Sequence, residues 1–288
     1  MVGEFPDLQG VMGRYYATAQ NEHENVAEAI DAQYQPRFAG DNLPESAVAQ
    51  SLAIADKLDT ITGIYGIGQL PTGDKDPFAL RRAALGLLRI MIEKNLDLDL
   101  RLLIQFSLEL HPNVKSDDKL VDDIYDFIVS RLRAYYADKG ISAEQFEAVR
   151  VCRPAHPIDF AQRIEAVKQF SQMDGAESLS AANKRISNIL KKVDGAIAET
   201  VNPDLFTEGA ESNLWNALDA LRETVSEQIA SRDYIAAISE LSTIREAVDT
   251  FFDDVMVMAD DEAVKQNRLS LLNQIYQLFL QVADISRL

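Results

Sequence analysis

Residues 214–229 read LWNALDALRETVSEQI. Leu214, Leu218, Leu221, Val225 and Ile229 recur three or four positions apart, with charged and polar residues between them. At about 100° per residue they line up as one apolar stripe, the pattern of a helix with one face against a core. Two more stripes follow: Ile235, Ile238, Leu241, Ile244 and Val248, then Leu269, Leu272, Ile275, Tyr276, Phe279 and Leu280. A lone helix of this kind would leave its stripe in water. Three joined by short polar connections bury their stripes against one another, which predicts an antiparallel helical bundle.

The same period runs back toward the amino end. ENVAEAIDAQY (24–34), PESAVAQSLAIADKLDTITG (44–63), DPFALRRAALGLLRIMIEK (76–94), DKLVDDIYDFIVSRLRAYYADKG (118–140) and PIDFAQRIEAVKQFSQM (157–173) all place apolar residues three and four apart. Alternating β-branched runs are scarce, so the predicted class is all-α. Breakers separate the segments: Pro36, Gly40 and Pro44; Gly66, Gly68, Pro71 and Gly73; Pro112 and Gly140; Pro154 and Pro157. CRPAHP (152–157) reads as the clearest linker. With 288 residues and about 100–200 per domain, the chain has room for one large core or two to three smaller ones.

Hydrophobic residues make up 47% and charged residues 26% of the chain, as in ordinary globular proteins. Cys152 is the single cysteine, so no internal disulfide forms, as expected in a reducing cytosol. No apolar run approaches the roughly 18–20 residues of a membrane span, and MVGEFPDLQG has no secretory pattern. The expectation is a cytoplasmic protein with no membrane partner. A formal net charge of -18 opposes non-specific binding to nucleic acid or membrane. Screening confines that field to about 10 Å, so a local cluster of the other sign still decides its own contacts.

One such cluster is AANKRISNILKK (181–192). On a helix, Ile186, Ile189, Leu190 and Val193 gather on the core side. Lys184, Arg185, Ser187, Asn188, Lys191 and Lys192 gather on the opposite arc, with no acid among them. Solvated faces usually mix signs, because Glu–Lys neighbours help the helix slightly. The pattern fits a soluble face repelling itself mildly. It equally fits a phosphate-tracking surface, with Asn188 and Arg185 reaching or stacking on unpaired bases.

Catalytic signatures are absent. His23, His111 and His156 are scattered without metal-ligand spacing, and there is no HExxH, GxSxG, GxxxxGK[ST] or GxGxxG. GIYGIGQLPTGDKDP (63–77) lacks the Lys-Ser/Thr pair of a phosphate loop and reads as a turn-rich connection. Asp56 and Asp59 stand three apart on one helix, spacing that suits a shared cation or a solvated pair. Asp76 is placed to cap the next helix with Pro77 at its first position. Arg81 and Arg82 follow a turn later, pointing about 100° apart, one for an internal carboxylate and one for a partner. In DDVMVMADDEAVKQNRLSLL (253–272) the VMVM strip reads as buried, with Asn267 and Arg268 opening the last helix.

Taken together, FPDLQGVMGRYYA (5–17), YQPRFAGDNLP (34–44), LAIADKLDTITGIYGIGQLPTGDKDPFALRRAALGLLRI (52–90), the AANKRISNILKK stretch, VDTFFDDVMVMADDEAVKQNRLSLL (248–272) and VADISRL (282–288) resemble the C-terminal portion of the bacterial glycyl-tRNA synthetase β subunit. The resemblance covers essentially the whole chain, in order. It implies a partial HD-like helical domain over 1–95, a helical linker region over 96–157 and an anticodon-binding helical bundle over 158–288, all part of a longer subunit. It implies an α2β2 enzyme in which the α subunit uses ATP and Mg to attach glycine to tRNA(Gly). This chain then has no cofactor and no catalytic residue. Working HD enzymes hold metal with a His, a His-Asp pair and a distal Asp. Asp56 stands where the distal Asp would, but no His-Asp dipeptide occurs, so the HD site reads as inactive and metal-free. The implied tRNA-binding residues are Lys184, Arg185, Asn188, Lys191 and Lys192. Arg81 and Arg82 match the family's DPFALRR segment, with RNA contact, subunit contact and internal pairing all open. Two alternatives stand beside this reading: an HD-type metal-dependent phosphohydrolase built on Asp56, and a purely structural docking piece.

Overall fold

The computed structural model describes residues 3–73, 75–193 and 195–288. Among these the fold is all-α, with an isolated bridge between Thr72 and Lys75. The chain forms two compact units. One holds the residues up to Tyr135 together with Ala155–Ile158; the other holds Tyr136–Pro154 with Asp159–Leu288.

The first unit is built from α1 (Val11–Ala19), α2 (Glu24–Ala32), α3 (Ala47–Gly66), α4 (Leu80–Glu93), α5 (Leu100–Glu109) and α6 (Asp118–Val129). Their starts follow side-chain chemistry. Ser46, Asp99 and Asp117 each accept a backbone N–H from the first turn of α3, α5 and α6. Helix α3 packs on α2, α4 and α5, burying Ile54, Leu58 and Ile61 among Leu87, Leu88, Met91, Ile104 and Leu108. The 118–140 segment does not run as one helix. α6 ends at Val129 and α7 (Leu132–Ala137) begins after Ser130, whose hydroxyl donates to the Phe127 carbonyl and competes with the backbone ladder.

The Asp76 expectation needs correcting in detail. α4 begins at Leu80, behind Ala79 in a left-handed conformation (φ 54°), and Pro77 lies in a turn. The Asp76 carboxylate still accepts from the N–H groups of Leu80 (2.9 Å) and Arg81 (3.0 Å), so it caps from further back. Asp74, within the glycine-rich stretch, lies outside the described residues.

The second unit comprises α8 (Ala143–Arg150), α9 (Pro157–Phe170) from Asp159 onward, α10 (Ala176–Leu190), α11 (Gly209–Ala230), α12 (Tyr234–Leu241), α13 (Arg245–Asp254) and α14 (Glu262–Leu280). Its core joins Phe170, Leu179, Ile186, Leu214, Leu218, Val225, Ile238, Leu241, Val248, Phe251, Leu269, Leu272, Ile275 and Phe279. The 235–248 stripe breaks into α12 and α13 through a 3-10 turn at Ser242–Ile244. Ser242 and Thr243 turn their hydroxyls back onto the Ile238 and Glu240 carbonyls there. Ile235, read as a core position, is exposed at the helix start.

Two further expectations fail. Asn267 and Arg268 do not open the last helix; Asp261 caps α14, and both residues are buried in its second turn. The VMVM strip lies outside the helices and is buried only in part, with Val255 extended and a bend at Val257 and Met258. Val255 and Val257 point inward, while Met256 and Met258 are 76% and 56% exposed. Arg268 reaches the strip from α14. Its Nη1 donates to the Met256 carbonyl (2.7 Å) and its Nε to Glu211 (2.9 Å), at the start of α11. Glu211 also accepts from the N–H groups of Thr207 (2.9 Å) and Glu208 (2.8 Å). Burial alone would raise the Glu211 carboxyl, but the bonds from Arg268, Glu208 and Thr207 outweigh it and hold it below its ordinary value of 4.5.

Removing one partner of such a pair leaves a buried charge alone. Arg268→Ala is expected to cost about 3–5 kcal/mol in urea unfolding, and Arg268→Met combined with Glu211→Leu to recover most of it.

Candidate nucleic-acid interface

Helix α10 begins behind Gly175, in a left-handed conformation, and ends at Leu190. Ala182, Asn183, Ile186 and Ser187 face inward, packed toward α13 and α14. Lys184, Arg185 and Asn188 are exposed on the outer face, and Lys191 and Lys192 are exposed just past the helix end. Five of the six positions read as one polar arc are therefore on the surface. The sixth is not: Ser187 is buried and its hydroxyl lies 3.5 Å from the Tyr276 hydroxyl. α10 is packed on more than one side, so its buried arc is wider than a single stripe and takes in small polar residues.

Among the described residues, none of Lys184, Arg185, Lys191 and Lys192 makes an ion pair. Their settings differ. Lys191 caps the helix in αR geometry, with Lys192 in the following turn, close to carbonyls left open by the helix end. Cations there are favoured by the helix dipole by about 0.3–1 kcal/mol, so part of this cluster stabilises the fold. Lys184 sits mid-helix, at the edge of a depression of about 560 Å³ lined by Ser142, Gln145, Ser171, Glu177 and Ser180. Arg185 sits over an aromatic ring, its guanidinium carbon 4.2 Å from the centre of Phe252. Sequence reading missed Phe252; the FF pair at 251–252 was its only trace.

Arg81 and Arg82 belong to the first unit. Arg81 is partly buried, and its guanidinium donates to the Gly73 carbonyl. Arg82 is exposed, with no ion pair among the described residues. Of the two, one is taken up internally, though by a carbonyl rather than a carboxylate, and the other is free to meet a partner.

The histidines do not converge. His23 caps α2, its Nδ1 accepting from the Asn25 N–H. His111 lies 3.2 Å from the Thr62 hydroxyl and 3.4 Å from Asp59, and His156 is 3.9 Å from Asp97. Asp56 and Asp59 are both exposed, and among the described residues no group of three or more His, Cys, Asp or Glu is placed to hold a metal ion. Between the two acids Lys57 is buried, donating to the Gln33 carbonyl at 2.9 Å. Burial lowers its pKa to about 8, against a small upward pull from Asp56. No helix among the described residues is long and apolar enough to cross a membrane.

The comparisons with known proteins agree on both halves of the chain. Residues 1–151 match the family described as glycyl-tRNA synthetase beta subunit, and residues 179–285 match the DALR anticodon binding domain. Over 288 residues the chain is 53% identical to the glycine--tRNA ligase beta subunit of Aeromonas hydrophila and 53% identical to that of Tolumonas auensis. It is 54% identical to that of Actinobacillus pleuropneumoniae. Each match covers 100% of this chain and 42% of the relative.

Lys57 generates a pH prediction. Its folded pKa lies below its ordinary 10.5, so between about 8 and 10.5 the unfolded chain holds the extra proton and this group's contribution to stability rises with pH. Urea melts at pH 7.5 and 9.5 are expected to show that rise in the parent and a flatter response in Lys57→Met.

Proposed function

The chain belongs to the glycyl-tRNA synthetase beta-subunit family, and on that premise we propose that its second unit holds the anticodon arm of tRNA(Gly) for an enzyme whose chemistry is done elsewhere. The chain spans 42% of the length of its curated relatives, so the whole enzyme enters as part of the proposal. In this reading the α subunit of an α2β2 assembly joins glycine to tRNA(Gly) with ATP and Mg, in the cytoplasm. This chain contributes RNA contacts and subunit docking, and none of its residues carries a chemical step.

One observation carries the reading. The helix that opens the stretch matching an anticodon binding domain presents exposed cations without ion-pair partners, in a chain of formal net charge -18. Helix dipole accounts for Lys191 and Lys192 as fold stabilisers, but not for Lys184 and Arg185 in the middle of α10. Exposed ammonium groups are poor contributors to stability and good contributors to phosphate binding, where each neutralised phosphate releases a condensed counterion. Asn188 among them adds a side chain able to donate and accept at a base edge. Arg82 is the candidate of the first unit for a contact with RNA or with another subunit.

The triple variant Lys184→Ala, Lys191→Ala, Lys192→Ala, placed in the β subunit of the assembled enzyme, tests this against tRNA(Gly) across a salt series. Weaker binding is expected, together with a salt slope shallower by about 0.7–0.9 for each phosphate that is no longer neutralised. Parent affinity and parent slope would leave this surface a solvated face and nothing more.

A further inference from the structure

Arg185 differs from its lysine neighbours in being held. The Phe252 ring lies against its guanidinium, 4.2 Å from the guanidinium carbon to the ring centre. The Phe252 ring meets Phe251 edge-on, with centroids 5.7 Å apart at 77°, and Phe251 is fully buried in the core of the second unit. An aromatic pair rooted in the core thus props a planar cation at the surface. Arg185 is exposed and no ion pair among the described residues claims its other side. Three residues on, Asn188 is exposed on the same side of α10, at the spacing that puts two side chains about 5–6 Å apart. Its amide likewise has no partner among the described residues.

We propose that Arg185 and Asn188 form a subsite for one unpaired nucleobase, which stacks on the guanidinium on the side turned away from Phe252 and has its edge hydrogen-bonded by Asn188. The proposal rests on the reading of α10 as an RNA-facing helix and adds to it a division of labour. A flexible ammonium suffices for a phosphate. A stacking platform needs a plane fixed beforehand, and an arginine loses rotamer freedom to provide one. The packing against Phe252 removes that freedom before RNA arrives. Lys184 on one side and Lys191 and Lys192 on the other then serve the backbone that leads into and out of the stacked nucleotide. Phe252 is a positioning residue in this arrangement: it touches no RNA and acts through Arg185.

The test uses the assembled enzyme with Arg185→Lys, Asn188→Ala or Phe252→Leu in the β subunit. Affinity is measured for tRNA(Gly), and for tRNA(Gly) carrying an abasic nucleotide at each anticodon-loop position in turn. Arg185→Lys keeps the charge and loses the plane, so a loss on the order of tenfold is expected with an unchanged salt slope. At one loop position the abasic substitution should weaken the parent enzyme and leave Arg185→Lys no weaker than it already is. Asn188→Ala should couple to that same position. Phe252→Leu should lose part of what Arg185→Lys loses at an unchanged melting temperature; if it unfolds, the other two variants decide. Parent-like binding by Arg185→Lys, or losses that simply add at every position, would overturn the subsite. The triple lysine variant separates the two levels. If it is weakened while Arg185→Lys is not, only the subsite fails; if it too is silent, the RNA face fails with it.

Discussion

A carboxylate and a guanidinium buried side by side, Glu211 and Arg268, set the geometry of the second unit. Taking both out of water costs several kcal/mol per ion, and that cost is met only where the remaining lone pairs and N–H groups find partners. Here they do. Thr207 and Glu208 donate to Glu211, while Arg268 donates onward to the Thr207 hydroxyl and the Met256 carbonyl. Asn267, one residue earlier, clamps Asn202 in the same way, accepting from its N–H (2.7 Å) and donating to its carbonyl (3.0 Å). Apolar stripes fix which faces of the helices meet but tolerate sliding. These polar contacts do not, because a shift of one residue would strand a buried charge. They hold the 202–208 connection, the start of α11 and the exit from α13 against a single turn of α14.

Charge is arranged in this molecule at two ranges. The overall excess of acid acts at long range and is weakened within about a Debye length at cellular salt. Along α10 the order is local: Glu177 lies in the first turn, Lys184 and Arg185 in the middle, and Lys191 and Lys192 at the end. The ends follow the helix dipole, so they cost little to keep. The middle has no such support, and its single-sign character is what separates this face from an ordinary solvated one.

Much of this was legible in the sequence, and the failures have one physical character. Period-3.6 stripes found most of the helices of both units, because burial of a helix face leaves a repeating trace in the chain; the short α1, α5 and α8 were not among the segments read from it. The breaks at Ser130 and Ser242–Thr243 left a weaker trace, since a hydroxyl that turns onto its own backbone is indistinguishable in sequence from one facing water. Ser187 was misplaced for a related reason: small polar residues are admitted where a helix is packed on two sides. Arg268 and Glu211 were the hardest to see, 57 positions apart. Nothing local marks a charged residue as buried when its partner arrives only through folding. Of the candidate site, the cations of α10 were visible as a run, whereas Phe252 beneath Arg185 was not, because that pairing joins two helices remote in sequence.

The buried pair and the exposed face are linked through the exit from α13. That helix ends where the Val255 N–H returns to the Phe251 carbonyl at 2.9 Å, and the chain leaves it with Val255 extended and both Val255 and Val257 inward. Alternating burial alone would hold such a segment loosely, since two valines offer little area. Arg268 fixes it by holding the Met256 carbonyl from below, one residue beyond the turn that closes α13. The last turn of α13 is thereby prevented from fraying, and it carries both Phe251, anchored in the core, and Phe252, which supports Arg185. A buried charge pair thus stabilises the orientation of a surface arginine that it never touches. The surface cation gains rigidity from the core at no cost to its exposure, which is the combination a stacking contact requires and a free lysine cannot supply.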